Sequence, residues 1–289
     1  MGNPIILDGK TLSLQTEKHL QESVERLKTM TGYVPCLATI LVGSDPSSIV
    51  YVRMKVNACS RVGIESRKIE LPSATSTEDL LRVINELNAD ESVNGILLQH
   101  PVPSQIDEQK CFNAIRLDKD VDGVNTASFG AMAMQNEAFL SATPMAIMSI
   151  IEHYGIVTEG KQVVVVGRSP ILGKPVAMLL LNRDATVTIC HSKTKNLPDI
   201  LRQADIVVAC VGKPKFIQAD WIKEGSVLID AGYNPGNFGD IDLENCISKS
   251  SAYTPVPGGV GPMTIVSLIT QTVVSAQKKY GIGSERVSR

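Results

Sequence analysis

Three polar stretches in the first half of the chain carry residues that could move protons or bind a ligand. Tyr51 and Lys55 lie four residues apart and therefore share one face of a helix, whereas Arg53 points elsewhere. A lysine near a phenol in a partly apolar cleft can have its pKa lowered enough to exchange protons near neutral pH. A solvent-exposed helix face would explain the same spacing, so the pair alone does not decide between the two.

The other two stretches lie at the end of a hydrophobic segment and in an acidic turn. Residues 95–101 read Gly-Ile-Leu-Leu-Gln-His-Pro, so a hydrophobic strand ends on Gln99, whose amide can donate and accept hydrogen bonds. A glutamine that caps a loop is the alternative. Residues 118–123 form a turn with three acids, but the spacing and closing glutamate of an EF-hand are missing. One carboxylate directed at a ligand is therefore favoured over a metal cage.

A fourth stretch, residues 161–193, has the pattern of a nucleotide-binding βαβ unit. Val163–Val166 is a β-branched run without a polar break, which is typical of a strand buried on both faces of a parallel sheet. A glycine turn at 167–175, a helix-compatible segment at 176–182 and a second β-rich run at 185–190 follow. Such a unit binds a pyrophosphate at the N-terminus of its helix, where N–H groups and the helix dipole favour negative charge.

The glycine turn itself matches neither standard phosphate motif. Ser169 occupies the place of the second glycine in G-x-G-x-x-G, and the glycine spacing does not fit a P-loop either, so an ordinary structural turn is the alternative. The end of the second strand decides between them, because His191, Ser192 and Lys193 stand where an NAD site usually has an acid. With Arg168 and Ser169 they form a group of donors suited to a 2′-phosphate, which favours NADP over NAD.

A proline- and glycine-rich stretch near the C-terminus is the last candidate ligand-binding segment. Residues 254–264 read Thr-Pro-Val-Pro-Gly-Gly-Val-Gly-Pro-Met-Thr. Two X-Pro bonds followed by three glycines within four positions predict a rigid lead into a loop of bare backbone, against which a flat ligand such as nicotinamide can lie. A tight structural turn is the alternative.

The elements that would position these residues alternate between helix and strand. In the first part of the chain, helices are predicted at 11–30, 46–61 and 77–89, and strands at 36–42, 66–71 and 93–99. This order predicts an α/β domain with a parallel sheet, whose carboxyl strand ends form the natural ligand site. Helices are also predicted at 144–154 and 264–278. The expected domains are residues 1–140 plus a C-terminal helix at about 264–289, and residues 141–263, with a loosely packed end after Gly281.

Whole-chain composition excludes several classes of function. The 289 residues suffice for two domains, and a formal net charge of −2 provides no basic surface for nucleic acid. No apolar run approaches the roughly 20 residues of a membrane span. The six cysteines occur singly, and the N-terminus has neither a signal-peptide apolar region nor a myristoylation motif. The composition predicts a soluble, reduced, cytoplasmic protein.

Six motifs, in order along nearly the whole chain, resemble the bifunctional methylenetetrahydrofolate dehydrogenase/cyclohydrolase family. They are residues 51–55, 95–99, 119–123, 167–175, 190–194 and 255–264, of which the last is the most specific. The resemblance implies a two-domain α/β fold, with an N-terminal folate-binding catalytic domain, a Rossmann-like NADP-binding domain and a cleft between them. It also implies a small-molecule folate substrate, NADP as the cofactor, no metal and a homodimer joined through the nucleotide domains.

The implied reaction has two steps. A hydride leaves the one-carbon bridge of 5,10-methylenetetrahydrofolate for NADP⁺, and water then opens the methenyl cation to 10-formyltetrahydrofolate. Lys55 would handle the proton during hydrolysis, with Tyr51 and Gln99 tuning and orienting it, and Asp122 would anchor the pterin ring. The implied substrate-binding residues are Tyr51, Lys55, Leu98, Gln99, His100, Asp122, Pro257, Gly258, Gly259, Val260 and Gly261. The implied cofactor-binding residues are Gly167, Arg168, Ser169, Ile171, His191, Ser192, Tyr233 and Thr264.

Several residues depart from the pattern associated with the family. Met54 stands where Asn is common, His100 stands where Leu is common, and Asn125 also differs. All are expected near the ligand, so the ratio of the two activities is not predicted. A dehydrogenase with little cyclohydrolase activity and an NADP sensor without chemistry are the alternatives. Lys55 argues against the sensor, and four retained residues argue against the dehydrogenase alone: Tyr51, Lys55, Gln99 and Asp122. The ligase fused to some relatives is excluded by length and by the missing P-loop.

Overall fold

A computed structural model describes residues 3–282, and these form two compact units. The first unit comprises Leu14–Ala142 and the C-terminal helix from Ile265; the second comprises Thr143–Thr264 and the N-terminal segment up to Ser13. The division expected from the sequence differs by placing that N-terminal segment in the first domain. The loose end expected after Gly281 falls mainly on residues 283–289, which lie outside the described part of the chain.

The predicted helices and strands occur in the predicted order, with further elements between them that were not predicted. The elements are β1 Ile5–Ile6, α1 Gly9–Thr31, β2 Cys36–Val42, α2 Pro46–Val62, β3 Glu65–Leu71, α3 Thr77–Ala89, β4 Gly95–Leu98, α4 Glu108–Ala114, α5 Thr126–Ala133, α6 Ala142–His153, β5 Gln162–Val166, α7 Gly173–Leu181, β6 Thr186–Cys190, α8 Leu197–Leu201, β7 Ile206–Ala209, β8 Ser226–Asp230, α9 Leu243–Cys246, β9 Ser250–Tyr253 and α10 Val260–Lys279. The predicted ends of β2 and α3 are confirmed to the residue.

Two helices begin inside stretches that the sequence predicts as loops. α7 begins at Gly173 and α10 begins at Val260, three and four residues before the predicted starts. In both helices a proline is the third residue, Pro175 in α7 and Pro262 in α10. A proline in the first helical turn removes an N–H that has no intrahelical partner, so it does not prevent the helix from starting earlier.

The first unit is built on a parallel three-stranded sheet in the order β3-β2-β4. The central strand β2 is buried at every position, which explains its apolar sequence Cys-Leu-Ala-Thr-Ile-Leu-Val. Apolar side chains of α1, α2 and α10 complete the core, among them Val24, Ala58 and Ile269. Parallel pairing places the carboxyl ends of β2 and β4 at one edge, where Gln99 follows β4.

The second unit is built on a parallel six-stranded sheet in the order β1-β9-β8-β7-β5-β6. The apolar run of β5 pairs with β6 on one side and β7 on the other, which confirms the predicted βαβ unit. Ile5 and Ile6 of β1 pair with β9 at the sheet edge. A two-residue strand is too short to show a periodic pattern, so β1 is not predictable from the sequence. Within the described residues, no helix combines the length and apolar character needed to cross a membrane.

A buried lysine joins α3 to the loop after β4. The Lys119 ammonium donates to the carbonyl oxygens of Leu87, Asn88 and Asp90 at 2.9, 2.9 and 2.7 Å. These carbonyls belong to the last residues of α3 and the turn that follows it, where intrahelical donors are missing. Lys119 therefore acts as a C-terminal cap and fixes the start of the acidic turn.

Candidate active site

Lys55 lies on α2, and local sequence determines where this helix begins and ends. The Asp45 carboxylate accepts a hydrogen bond from the Ser48 backbone N–H at 2.8 Å, and Pro46 occupies the first helical position. Gly63 ends the helix in the left-handed conformation, with φ of +85°. Both caps fix the helix against the sheet and leave Lys55 half-buried.

The Lys55 ammonium contacts the glutamine at the end of β4. Lys55 Nζ donates to Gln99 Oε1 at 2.9 Å, and Gln99 Nε2 donates to the His100 carbonyl oxygen at 2.7 Å. The Gln99 backbone N–H donates to the carbonyl oxygen of Ile40 on β2 at 2.9 Å. Gln99 is buried, so these contacts fix which side of its amide faces the lysine. Tyr51 lies one helical turn before Lys55 and is half-buried, and Leu98 is the buried last residue of β4.

Asp122 and Lys55 shift each other's proton affinity. Burial raises the pKa of Asp122 to about 6, although Lys55, the Ala142 backbone N–H and His100 favour its ionised form. Burial lowers the pKa of Lys55, and the negative charge of Asp122 opposes that change. Both shifts bring the groups closer to neutral pH, as acid–base catalysis requires. The pKa of Lys55 is therefore lowered, as predicted from the sequence, and burial is the main cause.

The three acids of the 118–123 turn have separate environments. Asp118 is exposed and forms an ion pair with Arg116 at 2.7 Å. Asp120 is buried and accepts hydrogen bonds from the Ser128 hydroxyl at 2.6 Å and from two backbone N–H groups at 3.1 Å. Within residues 3–282, no group of three or more His, Cys, Asp or Glu side chains is arranged to hold a metal ion. Of the three, Asp122 is the acid coupled to Lys55.

The three residues that depart from the family pattern, Asn125, Met54 and His100, lie in different environments. The Asn125 amide donates to the carbonyl oxygens of Asn113 and Ile115 at 3.2 and 3.0 Å, and its oxygen caps α5. Both amide hydrogens are therefore engaged by the protein. Met54 is 43% exposed on α2. His100 is exposed, and its Nδ1 lies 2.6 Å from Glu108 Oε1.

In the second unit, the predicted nucleotide-binding residues lie at the carboxyl edge of the six-stranded sheet. Val166 of β5 is opposite Cys190 of β6, so the segments 167–169 and 191–193 leave the sheet side by side. Gly167 has φ of +139°, and a Cβ there would overlap the backbone carbonyl of Cys210. The close approach of the loop after β7 therefore requires glycine at this position, even though the G-x-G-x-x-G motif is absent.

The turn after β5 presents exposed donors beside an ordered backbone. The Ser169 hydroxyl accepts a hydrogen bond from the Gly173 N–H at 3.3 Å, which joins the turn to α7. Arg168 and Ser192 are exposed, and Ile171 is half-buried. His191 Nδ1 accepts a hydrogen bond from the Lys193 N–H at 3.1 Å, so this ring nitrogen orders its own loop.

Two buried acids that the sequence analysis did not single out organise the neighbouring loops. Asp240 accepts hydrogen bonds from the backbone N–H groups of residues 211–213 at 2.6 to 2.9 Å. Asp230 accepts from three N–H groups of the 232–241 loop at 2.8 to 2.9 Å, and burial raises its pKa to about 6. They hold the loops after β7 and β8, including the exposed Tyr233, at the same sheet edge. In the sequence, the sign of this structural role is that the apolar run 226–230 ends on an aspartate, Asp230.

The segment 254–264 is part turn and part helix. Gly258 has φ of +107°, and its carbonyl oxygen accepts a hydrogen bond from the Lys10 N–H at 2.8 Å. A Cβ on Gly259 would lie 2.6 Å from the Pro255 carbonyl oxygen, so a structural turn explains both of these glycines. Pro257 and Gly261 are exposed, Val260 is the first residue of α10, and Thr264 contacts the Thr143 hydroxyl at 3.3 Å.

Comparison with known proteins finds relatives along nearly the whole chain. Family models for the tetrahydrofolate dehydrogenase/cyclohydrolase catalytic domain and NAD(P)-binding domain match residues 7–122 and 141–280. The bifunctional protein FolD of Acidobacterium capsulatum is 62% identical over 279 residues, which cover 96% of this chain and 99% of the relative.

Solved structures also match the chain along nearly its whole length. Bifunctional methylenetetrahydrofolate dehydrogenase/cyclohydrolase from Campylobacter jejuni superposes with a TM-score of 0.93 at 43% identity, covering 95% of this chain and 99% of that one. The dehydrogenase-cyclohydrolase of Trypanosoma brucei, solved with NADP cofactor and an inhibitor, has a TM-score of 0.94 at 34% identity, covering 97% and 99%.

Asp120 provides a test of the turn that carries Asp122. Burial raises the pKa of Asp120 to about 7, so from about pH 4 to 7 the folded chain keeps a proton that the unfolded chain releases. The free energy of unfolding of the wild type therefore loses about 4 kcal/mol from this group as the pH rises through that range. Asp120→Asn lacks this loss, so its stability relative to wild type should improve by that amount between about pH 4 and 8.

Urea unfolding of both proteins at several pH values measures this difference. Asp205→Asn is the matched control, because hydrogen bonding and charge pairing with Lys223 lower the pKa of Asp205. The stability that Asp205 contributes is lost as the pH falls below about 4, so its pH dependence has the opposite sign. A constant stability difference between Asp120→Asn and wild type over the whole range would contradict the assignment.

Proposed function

The chain belongs to the tetrahydrofolate dehydrogenase/cyclohydrolase family, and we propose that it performs both reactions with the residues described above. It oxidises 5,10-methylenetetrahydrofolate with NADP⁺ and hydrolyses the methenyl product to 10-formyltetrahydrofolate, as an enzyme of one-carbon metabolism. The observation that carries this proposal is the contact of a half-buried lysine with Gln99, coupled to the charge of Asp122. An NADP sensor would have no use for such a group.

Lys55 is proposed as the proton-handling residue of the hydrolysis. Burial lowers the pKa of Lys55, which favours the neutral amine, and a neutral amine can accept a proton from the attacking water. The same nitrogen can then return that proton when the carbon–nitrogen bond opens. Gln99 fixes the direction of one Nζ–H, and Tyr51 is proposed to tune the site from the preceding turn of α2.

Asp122 is proposed to anchor the pterin ring. An ionised carboxylate can accept hydrogen bonds from donor nitrogens of the pterin, and a charge-assisted bond of this kind is stronger than a neutral one. Because burial raises the pKa of Asp122 to about 6, this interaction weakens as the solution becomes more acidic. His100 and Leu98 are proposed to contact the same substrate.

The residues at the carboxyl edge of the second unit fit NADP. Gly167 is proposed to help bind the coenzyme. Arg168 presents an exposed donor in the turn after β5, and Ser192 presents another at the strand end where an NAD site would carry an acid. When bound, NADP⁺ supplies the hydride acceptor. The lone pair of the neighbouring folate nitrogen drives the departure of the hydride, so the chain's own task in this step is alignment. Residues 257–261 are proposed to contact the ligands through their backbone.

The proposal also covers the oligomeric state of the protein and its location in the cell. We propose a homodimer joined through the nucleotide domains, as the family resemblance implies. Exposed apolar side chains support an interface there, since Ile5 and Ile6 at the sheet edge are 53% and 52% exposed. All six cysteines are free thiols, which is consistent with the proposed cytoplasmic location.

A paired assay of Lys55→Ala tests the catalytic assignment. Hydrolysis of methenyltetrahydrofolate should fall by about 10²- to 10⁴-fold, the usual contribution of a general acid–base residue. NADP⁺-dependent oxidation of methylenetetrahydrofolate should fall much less, because that step needs no protein acid or base. Arg53→Ala, on the exposed side of the same helix, is the matched control and should leave both rates unchanged. Oxidation without hydrolysis in the wild type would indicate a monofunctional dehydrogenase, and the absence of both would contradict the enzyme assignment.

Coenzyme binding by Arg168→Ala tests the preference for NADP. The variant should bind NADP⁺ roughly tenfold or more weakly, because a charged hydrogen bond to the 2′-phosphate is lost. Its affinity for NAD⁺, which lacks that phosphate, should change much less. Titration calorimetry with both coenzymes measures the ratio, and Arg183→Ala, which removes an arginine paired with Glu152, is the control. Equal weakening of both coenzymes would show that Arg168 does not read the 2′-phosphate.

A further inference from the structure

We propose that Gln271 of α10 is a positioning residue for substrate binding, because it joins the two backbone segments that meet beside Asp122. Asp122 enters here as the proposed anchor of the pterin ring, so this inference rests on the proposed function. Gln271 lies outside the six family motifs, and its side chain is buried, with 5% of the residue exposed. A buried amide needs partners for its two N–H groups and its oxygen, so its contacts show which parts of the chain it holds together.

The Gln271 amide connects two segments that are distant from it in the sequence. Its Nε2 donates to the carbonyl oxygen of Val121 at 2.7 Å and to that of Leu140 at 2.8 Å. Its Oε1 accepts a hydrogen bond from the Leu140 backbone N–H at 2.7 Å. The two carbonyls require the NH₂ group and the N–H requires the oxygen, so these contacts fix the orientation of the amide. Gln271 therefore holds Val121 beside Leu140.

The residue after Asp122 is held by the same neighbouring segment. The buried Ser141 hydroxyl donates to the Gly123 carbonyl oxygen at 2.9 Å. Gly123 has φ of +58°, and a Cβ there would overlap the carbonyl group of Leu140, so the two segments are in direct contact. The carbonyl groups on either side of Asp122, those of Val121 and Gly123, thus each accept a hydrogen bond from a side chain outside the turn.

The other side-chain contacts of the turn hold residues that are not adjacent to Asp122. Lys119 joins the turn to α3, and Asp120 accepts a hydrogen bond from α5. Ser275, also on α10, donates to the carbonyl oxygen of Asp118 at 2.7 Å. Loss of the glutamine amide would leave these three contacts in place and remove the hydrogen bond directly beside Asp122. We therefore expect a displaced carboxylate in a turn that is still folded.

Displacement of Asp122 should weaken substrate binding more than it slows the chemical step. A charge-assisted hydrogen bond depends on distance and direction, so a shifted carboxylate binds the pterin less well. The hydrogen bonds that place Lys55 and Gln99 come from α2, β2 and the end of β4 and do not involve Gln271. Proton transfer at saturating substrate should therefore be largely retained. The expected signature is a raised KM with kcat nearly unchanged.

Gln271→Met tests this signature, since it keeps the length of the side chain and removes all three hydrogen bonds. The KM for methenyltetrahydrofolate should rise roughly tenfold, and kcat for its hydrolysis should fall by less than about threefold. Ser141→Ala removes one hydrogen bond from the same arrangement, so it should raise KM by less, and it replaces Gln271→Met if that variant does not fold. Thr270→Val is the matched control, because the buried Thr270 hydroxyl bonds within α10 to the Val266 carbonyl oxygen. It should leave both constants unchanged.

Combination with Asp122→Asn separates positioning from a general loss of structure. Calorimetry with tetrahydrofolate measures binding without turnover, because this probe carries the pterin ring and has no one-carbon group to react. Gln271→Met should raise the Kd roughly tenfold in the wild-type background and by less than about twofold in the Asp122→Asn background. An unchanged Kd in the first case, or the same loss in both backgrounds, would overturn the inference.

Hydrogen–deuterium exchange tests the contact itself without any ligand. In Gln271→Met, or in Ser141→Ala, the amides of residues 119–124 and 139–142 should exchange faster than in the wild type and in Thr270→Val. Unchanged exchange of both segments would overturn the inference. A wild type that neither binds tetrahydrofolate nor converts its derivatives would refute the proposed function instead, and the exchange experiment would still decide whether Gln271 positions the turn.

Discussion

Burial of the Lys55 amine beside a carboxylate is the constraint on which the rest of the first unit depends. A charge removed from water costs several kcal/mol unless partners compensate it, so the partners must be held in place. Gln99 is fixed by its backbone bond to β2, and Asp122 by a turn whose two ends are secured by Lys119 and Asp120. The caps of α2 then set the position of the lysine. The caps of α2, the order of the strands and the acidic turn together therefore position the Lys55 amine.

Buried charges that require hydrogen-bond partners also organise the second unit. There Asp240 and Asp230 are the buried charges, and backbone N–H groups of the loops after β7 and β8 are their partners. The ordered loops and the turn after β5 form the edge at which exposed donors such as Arg168 stand. In both units buried carboxylates order the loops by accepting hydrogen bonds. A few exposed or half-buried side chains then remain available to bind ligands.

The sequence predicted regular elements well and long-range polar contacts poorly. β2 and α3 were predicted to the residue, because uninterrupted apolar runs and helical periodicity are local signals. β1 was missed because it has two residues, and α7 and α10 begin early because proline is tolerated in a first helical turn. The spacing of Asp118, Asp120 and Asp122 did not distinguish these three acids, yet Asp118 is exposed and paired with Arg116, and Asp120 is structural. Spacing gives no sign that Glu108 contacts His100 or that Asn125 donates to carbonyl oxygens at the end of α4, since tertiary packing determines both contacts.

NMR titration of the Lys55 side-chain amine, with its signal identified by comparison with Lys55→Ala, measures whether burial lowers the pKa of this group. An ordinary lysine has a pKa of about 10.4. We expect the pKa of Lys55 to lie clearly below this value because the amine is buried. Asp122→Asn should lower it further by removing the opposing charge. A Lys55 amine that titrates like a surface lysine, or that does not respond to Asp122→Asn, would contradict the account.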